Sequence, residues 1–178
     1  ITTLDNGLRI ATDPMAELET AAVGVWVDVG ARNEDASLNG ISHVLEHMAF
    51  KGTERRNALQ IAEEIEAVGG HLNAYTSREQ TAYFARILKN DLPLAVDILA
   101  DILQNSTFAA EELERERTVI IQESGQTKDT PDDLVFEHFQ LAAYPDQPLG
   151  RSILGTEEHV SRFARTTLQD YMGTHYRG

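Results

Sequence analysis

Two histidines and a glutamate stand together in His43-Val44-Leu45-Glu46-His47. On a helix, positions i and i+4 lie on one face about one turn apart. Both imidazoles can then reach a single ion without bending the backbone, and zinc takes such nitrogen ligands. Glu46 is at i+3 from His43, so it projects to the same side, and it need not ligate. A carboxylate beside a metal-activated water can take its proton and later hand it to a leaving amine. An isolated i, i+4 histidine pair is more often a solvated surface pair than a site. Here Val44, Leu45, Met48 and Phe50 make the segment strongly apolar, as a buried helix would be. Buried His and Glu need partners, and one metal ion satisfies all three.

The order His-x-x-Glu-His is the reverse of His-Glu-x-x-His and is a signature of metallopeptidases. A hydrolytic zinc site uses three protein ligands and a water. The chain has no cysteine, so disulfides are excluded and any metal must be held by His and carboxylates. For the third ligand, His71, His138, His159 and His175 remain, and carboxylates are plentiful. Residues 109–122 read as a long charged helix offering Glu111, Glu112, Glu114 and Glu116, with Glu123 just beyond. Glu116 and Glu123 are seven apart and share a helix face. Val119 and Ile120 accompany them, which turns that face towards a core. The competing reading is a solvated face laced by i, i+3 and i+4 ion pairs, and composition does not choose between the two.

The elements that must carry these residues follow from periodicity. Asp5-Asn6-Gly7 is a hairpin turn between residues 1–4 and 8–12. Residues 21–29, rich in β-branched side chains, form a strand, and residues 30–38 a polar loop. The motif helix runs over 41–50, with Ser42 able to cap its start. A second helix spans 57–68, with Leu59, Ile61, Ala62, Ile65 and Val68 at near-helical spacing, and Gly69-Gly70 stops it. Strands at 71–76 and 80–87 join around Ser77-Arg78-Glu79. Helices follow at 91–104, 131–143 and 166–174, with Pro93 and Pro131 in first turns. The class is α+β: a mixed β-sheet flanked by helices on one side.

At 178 residues the chain holds one domain with a real core. The net charge of −14 argues against nucleic-acid binding, and no glycine-rich phosphate loop is present. The acidity could steer basic peptides, but solubility is its simpler meaning. No apolar run approaches the roughly 20 residues of a membrane span. The chain begins at Ile1 without a signal pattern, which a cleaved leader or trimming would explain.

Several longer stretches resemble the M16 (pitrilysin-type) metallopeptidases. They are Gly40 to Thr53 (GISHVLEHMAFKGT), Gly69 to Thr81 (GGHLNAYTSREQT), Glu114 to Glu123 (ERERTVIIQE), and Leu149-Gly150-Arg151 through Gly155-Thr156-Glu157-Glu158. The likeness covers nearly the whole chain in the right order. It implies one zinc ion bound by His43, His47 and Glu123, with Glu46 as general base and Glu116 orienting the site from behind the ligands. It also implies that Leu72-Asn73-Ala74-Tyr75-Thr76 is an edge strand that pairs with an extended peptide.

The resemblance further implies a zinc-dependent endopeptidase, and a chain that forms most of the family's N-terminal catalytic domain. The family's second domain is absent from residues 1–178, and the strand expected soon after Tyr176-Arg177 is missing. The expected partners are a peptide substrate and the missing second domain or a partner subunit, as a homo- or heterodimer. The chain alone is expected to show little or no turnover. The expected compartment is the bacterial cytoplasm, with the mitochondrial matrix as the alternative. A non-catalytic structural or assembly subunit of the same fold is the rival reading, and a zinc hydrolase of small non-peptide substrates a third. Zinc content separates the first rival, and a peptide-library assay the second.

Overall fold

A computed structural model describes residues 1–177 of the chain. Its main sheet has three antiparallel strands: β3 (Thr20–Val27), β4 (His71–Thr76) and β5 (Thr81–Leu88), in the order β3-β5-β4. β5 pairs along β3 from Thr20↔Leu88 to Val27↔Thr81, and with β4 from His71↔Arg86 to Thr76↔Thr81. A separate exposed hairpin joins β1 (Thr2–Thr3) and β2 (Arg9–Ile10) around the Asp5-Asn6-Gly7 turn, where Gly7 takes φ 95°. The α+β expectation holds.

Alternation along the strands decides which face is covered. Val23 of β3, Leu72 and Ala74 of β4, and Tyr83, Ala85 and Ile87 of β5 pack against helices. Those helices are α2 (Ala58–Glu66), through Ile61 and Ile65, and α3 (Leu92–Gln104), through Ala95, Ile98, Leu99 and Ile102. On the other face Trp26 is exposed, and Tyr75 lies 6.3 Å from Phe84 between ring centres. β4 is an edge strand among the described residues.

The motif helix α1 (Ile41–Ala49) is the wall between two cores. Ala49 joins the sheet core, while Ile41, Val44, Leu45 and Met48 join a second apolar cluster. The second cluster is completed by Leu113 and Ile120 of α4 (Ala110–Asp129), Val160 of α6 (Glu157–Arg162), and Leu168 and Tyr171 of α7 (Arg165–His175). Helix α5 (Pro131–Ala143) lies between α4 and α6 in the chain and buries none of its residues fully.

Five expectations need correction. Ser42 does not cap α1. The N-cap is Gly40, at φ 96°, and the first turn is held by Glu34 from the preceding loop. That loop is not wholly irregular, since 3-10 turns occupy Ala31–Asn33 and Ala36–Leu38. Helix α4 runs on to Asp129, because Gly125 inside a helix costs only about 1 kcal/mol and no proline intervenes before Pro131. Its inward face contains Glu116 and Ile120 but not Val119, which is 45% exposed. Helix α6 was not anticipated, although Thr156 caps it by accepting from the His159 N–H at 3.2 Å. The other boundaries move by only a residue or two.

Candidate metal centre

Helix α1 delivers His43 and His47 from successive turns, with ring centres 4.6 Å apart. Helix α4 crosses it and presents Glu116 and Glu123 two turns apart on one face. Glu123 Oε2 lies 3.6 Å from His43 Nε2 and 3.5 Å from His47 Nε2. One ligand atom from each of the three residues falls within 4.8 Å of the others, and no other such grouping occurs among the described residues. His71 and His138 are exposed on β4 and α5, while His159 and His175 sit on α6 and α7, outside the group.

Glu116 is buried, and its Oε2 lies 3.0 Å from His47 Nδ1. An ionised carboxylate only accepts, so it fixes a hydrogen of His47 on Nδ1, and Nε2, which faces Glu123, is the nitrogen that can offer a lone pair once its own proton is lost. The other carboxylate oxygen, Oε1, is 2.7 Å from Lys51 Nζ, just beyond the end of α1. The outer turns of α4 carry the ion pairs of a solvated face, Glu112 with Arg115 and Glu114 with Arg117. Helix α4 therefore has an inward face, with Glu116 and Glu123, and a solvated face laced by ion pairs.

Burial, helped by the charge of His47, pushes His43 down to about 4 against the pull of Glu123, so its imidazole is neutral at pH 7. Its Nδ1 is buried without a hydrogen-bond partner among the described residues. Burial opposes a charge on His47, but the hydrogen bonds to Glu123 and Glu116 outweigh it and raise the pKa. The His47 hydrogen bond holds Glu123 below the usual range, although burial opposes this. Burial raises the Glu46 carboxyl, with hydrogen bonding to Thr76, the last residue of β4, pulling the other way.

The donor set suits zinc. Two imidazole nitrogens and a carboxylate are common hydrolytic ligands. Ligands about 2.0–2.1 Å from a tetrahedral ion stand roughly 3.4 Å apart, close to the two nitrogen–oxygen separations observed.

Two residues of this region escaped the sequence reading. Glu34, 3% exposed, lies in a polar loop and has no local pattern tying it to the helix. Its Oε2 accepts from the Gly40 N–H at 2.8 Å and Asn39 Nδ2 at 3.0 Å, and its Oε1 from the Ser42 N–H at 2.9 Å. This places an anion on the positive end of α1. Gly40 permits the fit: a Cβ there would stand 2.8 Å from the Leu154 carbonyl oxygen and the Gly155 Cα. Lys51 was quoted only as part of a longer stretch, and its pairing with Glu116 has no signature in spacing.

The sequence profile of the family described as Insulinase (Peptidase family M16) matches residues 9–157. The chain is 50% identical over 176 residues to the probable mitochondrial-processing peptidase subunit beta of Arabidopsis thaliana, covering 99% of this chain and 33% of that protein. It is 49% identical over 178 residues to the mitochondrial-processing peptidase subunit beta of Rattus norvegicus, covering 100% of this chain and 36% of that protein. The chain thus spans about a third of the length of these curated relatives. Among solved structures, a protease from Helicobacter pylori superposes with a TM-score of 0.93 at 26% identity, over 99% of this chain and 43% of that one. A peptidase M16 inactive domain from Pseudomonas fluorescens shares the fold, with a TM-score of 0.79 at 17% identity, over 87% of this chain and 38% of that one. Over most of its length, and with the helices that carry the motif in place, this chain belongs to the insulinase family of peptidases, family M16.

Proposed function

We propose that the chain carries the zinc-binding and proton-transfer groups of an endopeptidase that hydrolyses extended peptides. The observation that carries this reading is the convergence of His43 Nε2, His47 Nε2 and Glu123 Oε2 beside Glu46. His43, His47 and Glu123 would hold the ion, and Glu116 keeps the His47 ring turned towards it. Zinc held there would supply Lewis acidity towards a peptide carbonyl and towards water.

Glu46 serves as general base. Its raised carboxyl pKa moves it towards the range in which one group can take a proton from water and return it to a leaving amine. The substrate lies along Leu72, Asn73, Ala74, Tyr75 and Thr76, the open edge of β4. A peptide added there meets backbone N–H and C=O groups first, so binding tolerates varied side chains. Thr76 ends this strand and is the neighbour that pulls the Glu46 carboxyl pKa back down, so the strand leads to the proposed base.

Residues 1–178 would form most of an N-terminal catalytic domain, completed by a second domain or a partner subunit. The word "subunit" in the relatives' names supports such a partner. Their mitochondrial designation supports the matrix over the bacterial cytoplasm. The inactive Pseudomonas fluorescens domain is a reminder that this fold does not itself confer activity.

The test is metal content together with turnover. Glu46→Gln, assayed with the second domain or partner subunit supplied, should retain zinc while lowering turnover on a peptide library by at least about 100-fold. His43→Ala, His47→Ala and Glu123→Ala should each lose the metal. A Glu46→Gln protein as active as the wild type would rule out the mechanism. A zinc-free wild type would leave only a structural subunit.

A further inference from the structure

Glu116 is a buried carboxylate with two neighbours of different kinds. On one side is His47, a ring that must be neutral to offer Nε2 to a metal. On the other is Lys51, whose ammonium is 2.7 Å from Oε1. With a metal on His47, Lys51 is the one cation placed against Glu116 among the described residues. A carboxyl that is 5% exposed needs a partner for each oxygen, and Lys51 supplies the one that His47 does not.

The geometry also fixes direction. Lys51 takes Oε1 and His47 takes Oε2, so the cation locks the carboxyl rotation that aims Oε2 at Nδ1. Lys51 follows Phe50, the C-cap of α1, whereas Glu116 belongs to α4. The contact therefore bridges, beside their shared apolar cluster, the two helices that supply the ligands.

We propose that Lys51 is a positioning residue for the metal centre, acting on His47 through Glu116. This inference rests on the zinc reading given above. Lys51 touches neither substrate nor metal. Its effect should appear in metal affinity, and only while Glu116 can accept from it.

The test is a double-mutant cycle on the zinc dissociation constant, measured by chelator competition in the full chain. Removing a partner behind a ligand weakens metal binding about 10–100-fold. Glu116→Gln should fall in that range, and Lys51→Met, one contact further out, near its lower end. Lys51→Arg should recover most of the loss. In a Glu116→Leu background, which leaves no acceptor, Lys51→Met should cost nothing more. Wild-type affinity in Lys51→Met, or an equal loss in both backgrounds, would overturn the inference while leaving the zinc reading intact. A wild-type chain that binds no zinc would overturn both.

Discussion

Replacing Glu34 with glutamine tests whether the start of the motif helix is held by a buried anion. The carboxylate serves two backbone N–H groups, of Gly40 and Ser42, and one side-chain donor, Asn39. A glutamine of the same shape keeps one acceptor. Its best pose leaves the carbonyl on Gly40 and Asn39 and turns its NH2 against the Ser42 N–H. One buried donor is then orphaned, which costs about 1–3 kcal/mol. Loss of the negative charge at the helix N-terminus removes roughly another 0.3–2 kcal/mol. The expected destabilisation is about 2–4 kcal/mol. For a domain of this size, each kcal/mol is worth about 2–4 °C, so Tm should fall by roughly 5–15 °C. The assay is guanidinium and thermal unfolding of metal-free protein followed by circular dichroism, which keeps metal binding out of the comparison. A loss below about 1 kcal/mol would refute the reasoning, because the helix would then be held by packing alone.

Two further outcomes follow from other sites. Asp101 has a fully buried side chain that accepts from Thr53, Arg55, Arg56 and Asn105, tying the segment after α1 to α3. Asp101→Ala should cost about 3–5 kcal/mol in denaturant unfolding, as for other broken buried ion pairs. Burial works against the Asp101 charge, but its donors outweigh burial and depress the pKa. Its contribution is therefore complete above the unfolded value of about 3.9 and is lost as pH falls through the folded one. Unfolding free energy measured against pH should drop below about pH 4, and should drop less in Asp101→Asn. On the edge strand, the Ala74 N–H donates to Asn73 Oδ1 at 2.8 Å in an exposed contact. Ala74→Pro deletes that donor, so it should raise KM for peptides while changing Tm little. An unchanged KM would remove β4 as the peptide's partner.

What could be read from the sequence depended on distance along the chain. The His43–His47 pair was legible because its geometry lies within one helical turn. The two strands at 71–76 and 80–87 were legible because the polar turn Ser77-Arg78-Glu79 separates them. Glu123 was not, because its approach to the pair depends on how α4 crosses α1, which no local spacing encodes. Only the family resemblance singled it out. Glu34 was invisible for the same reason, and Ser42, a common capping residue, drew attention away from it. Helix α4 outruns its expected end at residue 122 because nothing crowds Gly125 and no proline intervenes before Pro131. The Thr156 cap of α6 was present in the residues and simply carried too short a helix to stand out.

If a peptide docks on β4 as proposed, that edge, open among the described residues, has a consequence for where the peptide would be cut. Backbone hydrogen bonds along a strand repeat every second residue. A docked peptide can therefore shift by two positions and recover the same ladder, while a shift of one turns every side chain to the opposite face. Backbone pairing alone would leave a series of equivalent cleavage frames. The choice among them falls to the few side chains near the scissile bond.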